Sequence, residues 1–283
     1  MLISRLAWSE PDSGPKDMKP SWNAPPTQLL LSRKDVHIWR AVLDLPSKSV
    51  QELKGSLSFD ERMKAESFHF ERDRSRFIAA HGILRRILAS YLSVDPGAIR
   101  FRYERDGKPR LQNAFGKPGI QFNLSHSEGL ALYVFTQGHE VGVDLERIRD
   151  LPEMEQIVDQ FFSVREQVVF HTLPTSEKHE TFFKWWTRKE AFVKAVGEGL
   201  SYPLHGFDAL LAKGKSVESL GILGGVQEGP KWTMWDVRPG EAFAGAVVVE
   251  RDDWDVQCWQ WSDKIEEYVE KMRSNLHSFK VSI

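Results

Sequence analysis

The order of segments along this chain occurs twice, and that repetition limits the fold more than any other feature. Residues 36–45 place Val36, Ile38, Ala41 and Leu43 at partly alternating positions, the period of a strand with one buried face. Ser58 and Glu61 have the spacing of a capping box at the start of a charged helix. A second helix is expected over 73–92, where Phe77, Ala80, Leu84, Ile87, Leu88 and Tyr91 form one apolar stripe. Pro96-Gly97 ends it. Strands are expected at 99–103, 121–124 and 130–135, with a turn at Asp106-Gly107. The order then restarts. A strand over 141–146 precedes helices over 163–171 and 176–196, and strands at 207–211, 232–237 and 243–249. Each half thus reads β, α, α, β, β, β. The expected fold is α+β, with two pseudo-twofold-related lobes, each a small, mainly antiparallel sheet packed with a long helix. A functional site is expected between the lobes, where pockets commonly form. The expected divisions are an extension over 1–34, a first lobe over 35–140 and a second over 141–283. The extension is rich in Pro, Ser and Lys, and Trp8 and Trp22 are placed to pin it to the body. Residues 256–272 are expected to add a short strand and a helix.

The composition is that of a soluble globular chain, 41% hydrophobic and 28% charged over 283 residues. No apolar run approaches the ~20 residues of a membrane span, and no secretory signal pattern follows Arg5. Cys258 is the only cysteine, which excludes an intrachain disulfide and Cys-rich zinc sites and makes a reducing cytoplasm the expected compartment. The net charge of −2 is uneven: residues 62–110 hold twelve Lys/Arg against six Asp/Glu. Such a basic segment in a mildly acidic chain suits an anion-binding face. There is no phosphate-binding G-x-x-x-x-G-K-[ST] loop, no G-x-G-x-x-G after a strand and no zinc spacing. The aromatic residues do not form an RNA-recognition signature, so nucleic acid is not an expected partner.

Two stretches carry the chemistry. In Gly142-Val143-Asp144-Leu145-Glu146, strand alternation puts Gly142, Asp144 and Glu146 on one face, and the glycine is expected to leave room for a metal or phosphate. In the helix, Trp186, Glu190 and Lys194 are spaced by four residues and share a face, with Lys189 beside them. Three carboxylates from a strand and a helix suit a hard cation such as Mg²⁺. A lysine one turn beyond the last carboxylate suits a phosphate. The segment Phe122-Asn123-Leu124-Ser125-His126-Ser127 contains a Ser-His pair but lacks a nucleophile elbow, and neighbours on a strand point to opposite faces, so a hydrolase is disfavoured. Its hydroxyl and imidazole suit phosphate oxygens instead. Lys108, held between Gly107 and Pro109, presents a charge from a tight turn, and Lys64 and Arg76 stand on the helices of the basic segment.

On Gly107-Lys108-Pro109, Phe122 to Ser127, Gly142 to Glu146, and Trp186-x-x-Lys189-Glu190-Ala191-x-x-Lys194-Ala195 followed by Gly197-x-Gly199-Leu200, the chain resembles the 4′-phosphopantetheinyl transferases of the surfactin-synthetase-activating (Sfp) type. The resemblance covers about residues 36–250. It implies a cytoplasmic monomer of two pseudo-symmetric lobes. Such an enzyme moves 4′-phosphopantetheine from coenzyme A to a serine of an apo acyl or peptidyl carrier protein and releases adenosine 3′,5′-bisphosphate. The carriers served would belong to fatty-acid, polyketide or non-ribosomal peptide synthesis. By resemblance Asp144, Glu146 and Glu190 surround Mg²⁺, and Lys194 neutralises the pyrophosphate. Lys108, Pro109, Ser125, His126 and Lys189 contact coenzyme A, with Lys64 and Arg76 near the adenosine 3′-phosphate. Glu190, or a water on the metal, takes the serine proton. Carrier docking is expected on the second lobe, after about Gly197. The family pattern commonly has a basic residue near position 61, where this chain has Glu61. The rival readings are a shorter, trimeric carrier synthase, a non-catalytic coenzyme A or carrier-binding module, and a Mg²⁺-dependent nucleotide hydrolase.

Overall fold

The computed structural model describes residues 20–262 apart from 27, 105–106, 113–118, 198, 200–201, 210–231 and 252. The first lobe contains β1 (Asp35–Val42), α1 (Ser47–Ser56), α2 (Phe59–Glu66), α3 (Glu71–Leu92), β2 (Phe101–Tyr103), β3 (Pro109–Leu111), β4 (Ile120–Ser127) and β5 (Leu130–Gln137). The second contains β6 (Val141–Arg147), α4 (Met154–Phe161), α5 (Val164–Thr172), α6 (Thr175–Val196), β7 (Trp232–Val237) and β8 (Phe243–Glu250), and β9 (Asp255–Gln260) follows. Among the described residues no helix is long and apolar enough to cross a membrane.

The two lobes repeat one plan. In the first sheet β5 lies between β4 and β1, with antiparallel pairing on both sides; in the second, β8 lies between β7 and β6 in the same way. Among the described residues each lobe has three α-helices, not the two read from sequence. The additions, α1 and α4, are short and bury only Val50 and Leu53, and Met154 and Val158, respectively, too few positions to show a period. The third helix is 22 residues long in both lobes and ends at a residue in the left-handed region, Ser93 (φ 59°) or Gly197 (φ 77°). Glycine is the residue that adopts this turn at least cost. The capping box expected at Ser58 and Glu61 is present, and Ser163 and Glu166 form its counterpart ahead of α5.

The repetition extends into the core. Glu61, third residue of α2, pairs with Arg85, fifteenth of α3, at 2.7 Å. Glu166, third of α5, pairs with Lys189, fifteenth of α6, at 2.8 Å. All four side chains are buried. Burial would push the Glu61 carboxyl up, but His81 at 3.6 Å, the hydrogen bond from the Ser58 backbone and Arg85 outweigh it and hold the pKa at about 2. The departure noted at position 61 thus has a structural cause: the glutamate closes a helix cap and neutralises a buried arginine. Arg62 beside it donates to the Leu57 carbonyl.

A valine-rich core joins the two sheets. It includes Val36 and Ile38 of β1, Leu132 and Val134 of β5, Val141, Val143 and Leu145 of β6, and Val247 and Val249 of β8. The α3 stripe read from sequence is buried against the other face of the first sheet, where Trp39, Tyr133 and Phe135 lie. The chain then returns to the first lobe. β9 runs parallel to β1 and widens the first sheet, and Asn23 bridges to Trp259 beyond it. Trp22 stacks under the Arg40 guanidinium at 4.8 Å, which ties this part of the extension to the body as expected; Trp8 lies outside the described residues. Of the strand expected at 207–211, residues 207–209 are not strand and the remainder lies outside the described residues, as does the helix expected after β9.

Candidate active site at the lobe seam

Strand β6 and helix α6 meet at unusually close range, and Gly142 is the reason. A Cβ built there would lie 2.0 Å from the Ala191 carbonyl oxygen and 2.4 Å from the Ala195 nitrogen. The space beside this glycine, expected to admit a metal or phosphate, is therefore filled by the helix backbone. The close approach brings Asp144, two residues along β6, to the residues of α6. Asp144 is buried, and its Oδ1 accepts from Lys194 Nζ at 2.6 Å and from Ser125 Oγ at 3.0 Å. Its Oδ2 is buried and has no hydrogen-bond partner. Glu146, half-buried, accepts from Ser127 Oγ at 3.1 Å.

The electrostatics link the three carboxylates. Burial raises the pKa of Glu146, and the charge of Asp144 raises it further. Burial raises Glu190 likewise, with Asp144 and Glu146 adding to the shift and Lys194 opposing it. Mutual repulsion thus adds to the desolvation of these glutamates, and Lys194 offsets it only in part. Among the described residues no group of three or more His, Cys, Asp or Glu is already drawn together as a metal site. The donor set still fits a hard divalent ion: three carboxylates, one of them with an orphaned buried oxygen, and oxygen chemistry throughout.

His126 of the first lobe lies within electrostatic reach of Lys194, His81 and Arg76. His126 lies at the open end of β4. Desolvation lowers its pKa, and His81, Lys194 and Arg76 lower it further. His126 thus sits among basic neighbours, a setting suited to an anion. Arg76 is a bidentate partner of Asp44, at 2.7 and 2.9 Å, with Glu128 at 3.8 Å. Lys64 is exposed on α2, 5.9 Å from the centre of the Phe68 ring. Pro109 opens β3 opposite Tyr103.

Two lysines expected on coenzyme A are used elsewhere. Lys189 is fully buried, paired with Glu166, and donates to the carbonyls of Leu204 and Phe207 at 2.8 Å each. It ties α6 to α5 and to the segment around Leu204 and Phe207. Lys108 is also buried. It donates to the Lys194 and Ala195 carbonyls at the end of α6, to the Val141 carbonyl and to Glu140. A cation suits the negative end of a helix, and here it clamps α6 and β6 to the first lobe. Conversely, sequence reasoning passed over His81, Asn123 and Ser127. The last two carried a readable signal, since Asn123, Ser125 and Ser127 are polar at every second position of one strand.

Comparison with known proteins gives this geometry a lineage. The sequence model of the 4′-phosphopantetheinyl transferase superfamily matches residues 140–248, and that of the 4′-phosphopantetheinyl transferase N-terminal domain matches residues 46–136. The chain is 36% identical over 241 residues to 4′-phosphopantetheinyl transferase HetI of Nostoc sp., covering 85% of this chain and 98% of that protein. The chain belongs to the 4′-phosphopantetheinyl transferase family. It is also 33% identical over 166 residues to the transferase psf-1 of Bacillus pumilus (59% of this chain, 69% of that protein). It is 29% identical over 155 residues to the transferase Sfp of Bacillus subtilis (55% of this chain, 66% of that protein). A 4′-phosphopantetheinyl transferase transfers the 4′-phosphopantetheine group to a carrier protein, which is a phosphoryl transfer.

Proposed function

We propose that the seam between β6, α6 and β4 is the active site of an Sfp-type transferase that takes phosphopantetheine from coenzyme A and delivers it to a carrier-protein serine. The observation that carries this is the meeting of Asp144, Glu146, Glu190 and Lys194, with the buried Asp144 Oδ2 left without a partner. Asp144, Glu146 and Glu190 are the residues that would hold Mg²⁺, which when bound spreads the charge of the pyrophosphate. Lys194 gives its N–H groups to the leaving phosphate oxygen. The serine oxygen attacks the phosphorus next to the pantetheine, the pyrophosphate bridge breaks, and adenosine 3′,5′-bisphosphate departs. Glu190 would take the serine proton.

The first lobe would grip the nucleotide, with Ser125 and His126 toward the pyrophosphate and Arg76 and Lys64 toward the 3′-phosphate. Arg76 would exchange Asp44 for phosphate on binding. The second lobe would receive the carrier, and the exposed Val164 and Val168 of α5 support that placement. The division of roles near residue 140, a monomeric state and cytoplasmic residence belong to the same reading. Incubation with coenzyme A and several apo carriers, followed by mass spectrometry, tests it. One phosphopantetheine per carrier and carrier-dependent release of adenosine 3′,5′-bisphosphate are expected. Asp144→Ala and Glu190→Ala should abolish transfer and keep the thermal midpoint; a fully active Glu190→Ala enzyme refutes the mechanism.

A further inference from the structure

Strands β4 and β6 are the edges of their respective sheets and do not share a backbone ladder. They are joined by side chains. Asn123 Oδ1 accepts from the Val143 amide at 2.9 Å, Ser125 Oγ from the Leu145 amide at 3.3 Å, and Ser127 Oγ from the Arg147 amide at 3.2 Å. The offset is the same at each rung, so three residues of β4 stand in for the carbonyls of a missing strand. This satisfies alternate edge amides of β6, two of them buried, that would otherwise be orphaned.

Two of the rungs have a second function. Ser125 Oγ donates to Asp144 and Ser127 Oγ donates to Glu146. A hydroxyl has one proton and two acceptor sites. Ser125 uses its proton on Asp144 and accepts from Leu145 and from Lys194 at 3.3 Å. Ser127 uses its proton on Glu146 and accepts from Arg147. Each serine therefore sets the distance between lobes and the direction of a carboxylate with the same oxygen. A one-residue slip of β4 would replace this polar face with Phe122, Leu124 and His126 and break every rung.

We infer that Asn123 and Ser127 are positioning residues: Asn123 fixes the register of the first lobe on β6, and Ser127 both holds that register and aims Glu146 at the cation. The second half rests on the metal-site reading proposed above. Neither residue touches the reacting atoms in that reading. They act through β6, as a partner hydrogen bond acts on a metal ligand.

Three variants test this. In metal-free protein, Asn123→Ala should speed hydrogen exchange at the Val143 amide, and Ser127→Ala at the Arg147 amide, each by about tenfold, which is the loss of one modest hydrogen bond. Binding of Mn²⁺ alone, followed by loss of its free-ion paramagnetic resonance signal, should weaken about tenfold in Ser127→Ala. Ser127→Thr, which keeps the hydroxyl, should restore both readouts. The magnesium concentration needed for half-maximal transfer should rise in Ser127→Ala while KM for coenzyme A stays constant. Unchanged amide exchange in Asn123→Ala overturns the register role. Wild-type Mn²⁺ binding in Ser127→Ala, with binding lost in Asp144→Ala, overturns the aiming role and leaves the metal site standing. Wild-type binding in Asp144→Ala defeats the metal-site reading itself.

Discussion

Replacing Gly142 by alanine should disable this protein through one methyl group. The backbone there is not in the left-handed region, so no conformational strain is involved and the whole effect is spatial. The added carbon would sit 2.0 Å from the Ala191 oxygen and 2.4 Å from the Ala195 nitrogen, both backbone atoms that cannot rotate away. Ordinary contact begins near ~3.4 Å, so α6 must withdraw by about 1.4 Å or β6 must bend. Overpacking of a core costs about 1–3 kcal/mol and more where backbone must move; at least ~3 kcal/mol is expected here. For a domain of this size that lowers the melting midpoint by roughly 6–12 °C. The same withdrawal stretches the 2.6 Å contact between Lys194 and Asp144. A displacement near ~1 Å at a reacting centre costs about a hundredfold in rate. Urea unfolding and initial rates of carrier modification, measured below the variant's midpoint, separate the two effects. A Gly142→Ala protein with wild-type stability and rate would refute the argument that helix and strand meet at van der Waals limit.

Three further outcomes are expected. Lys189→Met should cost about 3–5 kcal/mol, because it strands a buried Glu166. Adding Glu166→Gln should recover part of that with KM for coenzyme A unchanged, and a tenfold rise in KM in the double variant would instead make Lys189 a ligand. Glu61 is held at about 2 in the fold against an ordinary 4.5, so it contributes about 3 kcal/mol that is fully present above pH 4.5 and lost as pH falls toward 2. Glu61→Gln should therefore flatten acid unfolding in that window, and an unchanged acid profile speaks against the pairing. Glu146 and Glu190 have raised pKa values without a cation. Mg²⁺ competes with their protons, so the acid limb of the rate profile should move to lower pH as Mg²⁺ rises from submillimolar to millimolar; a limb that stays in place would remove these carboxylates from the metal.

Much of the fold was legible wherever one local period ran long enough. The α3 stripe, the capping box at Ser58 and the alternation of β6 each follow from side-chain spacing on one element, and each is present. Short α1 and α4 were missed because two buried positions make no period. The parallel pairing of β9 with β1 was missed because strands more than two hundred residues apart leave no local trace. In the site, the three carboxylates and Lys194 could be named because a strand face and a helix face are properties of neighbours in sequence.

The sequence by itself determined which groups could act: carboxylates on β6, a glutamate and lysine one turn apart on α6, and a basic first lobe. Only tertiary structure decided which of the lysines meets the carboxylates. Lys189, Lys194 and Lys108 are alike in sequence terms, each long and charged and each beside a motif. Lys189 is committed to a glutamate on α5, Lys108 to the carbonyl end of α6, and Lys194 alone of the three reaches Asp144. A lysine's partner is set by whatever acceptor the packing brings within reach of its flexible stem, and those acceptors come from other elements of the chain. Local spacing can offer the cation, but the meeting of two lobes assigns it.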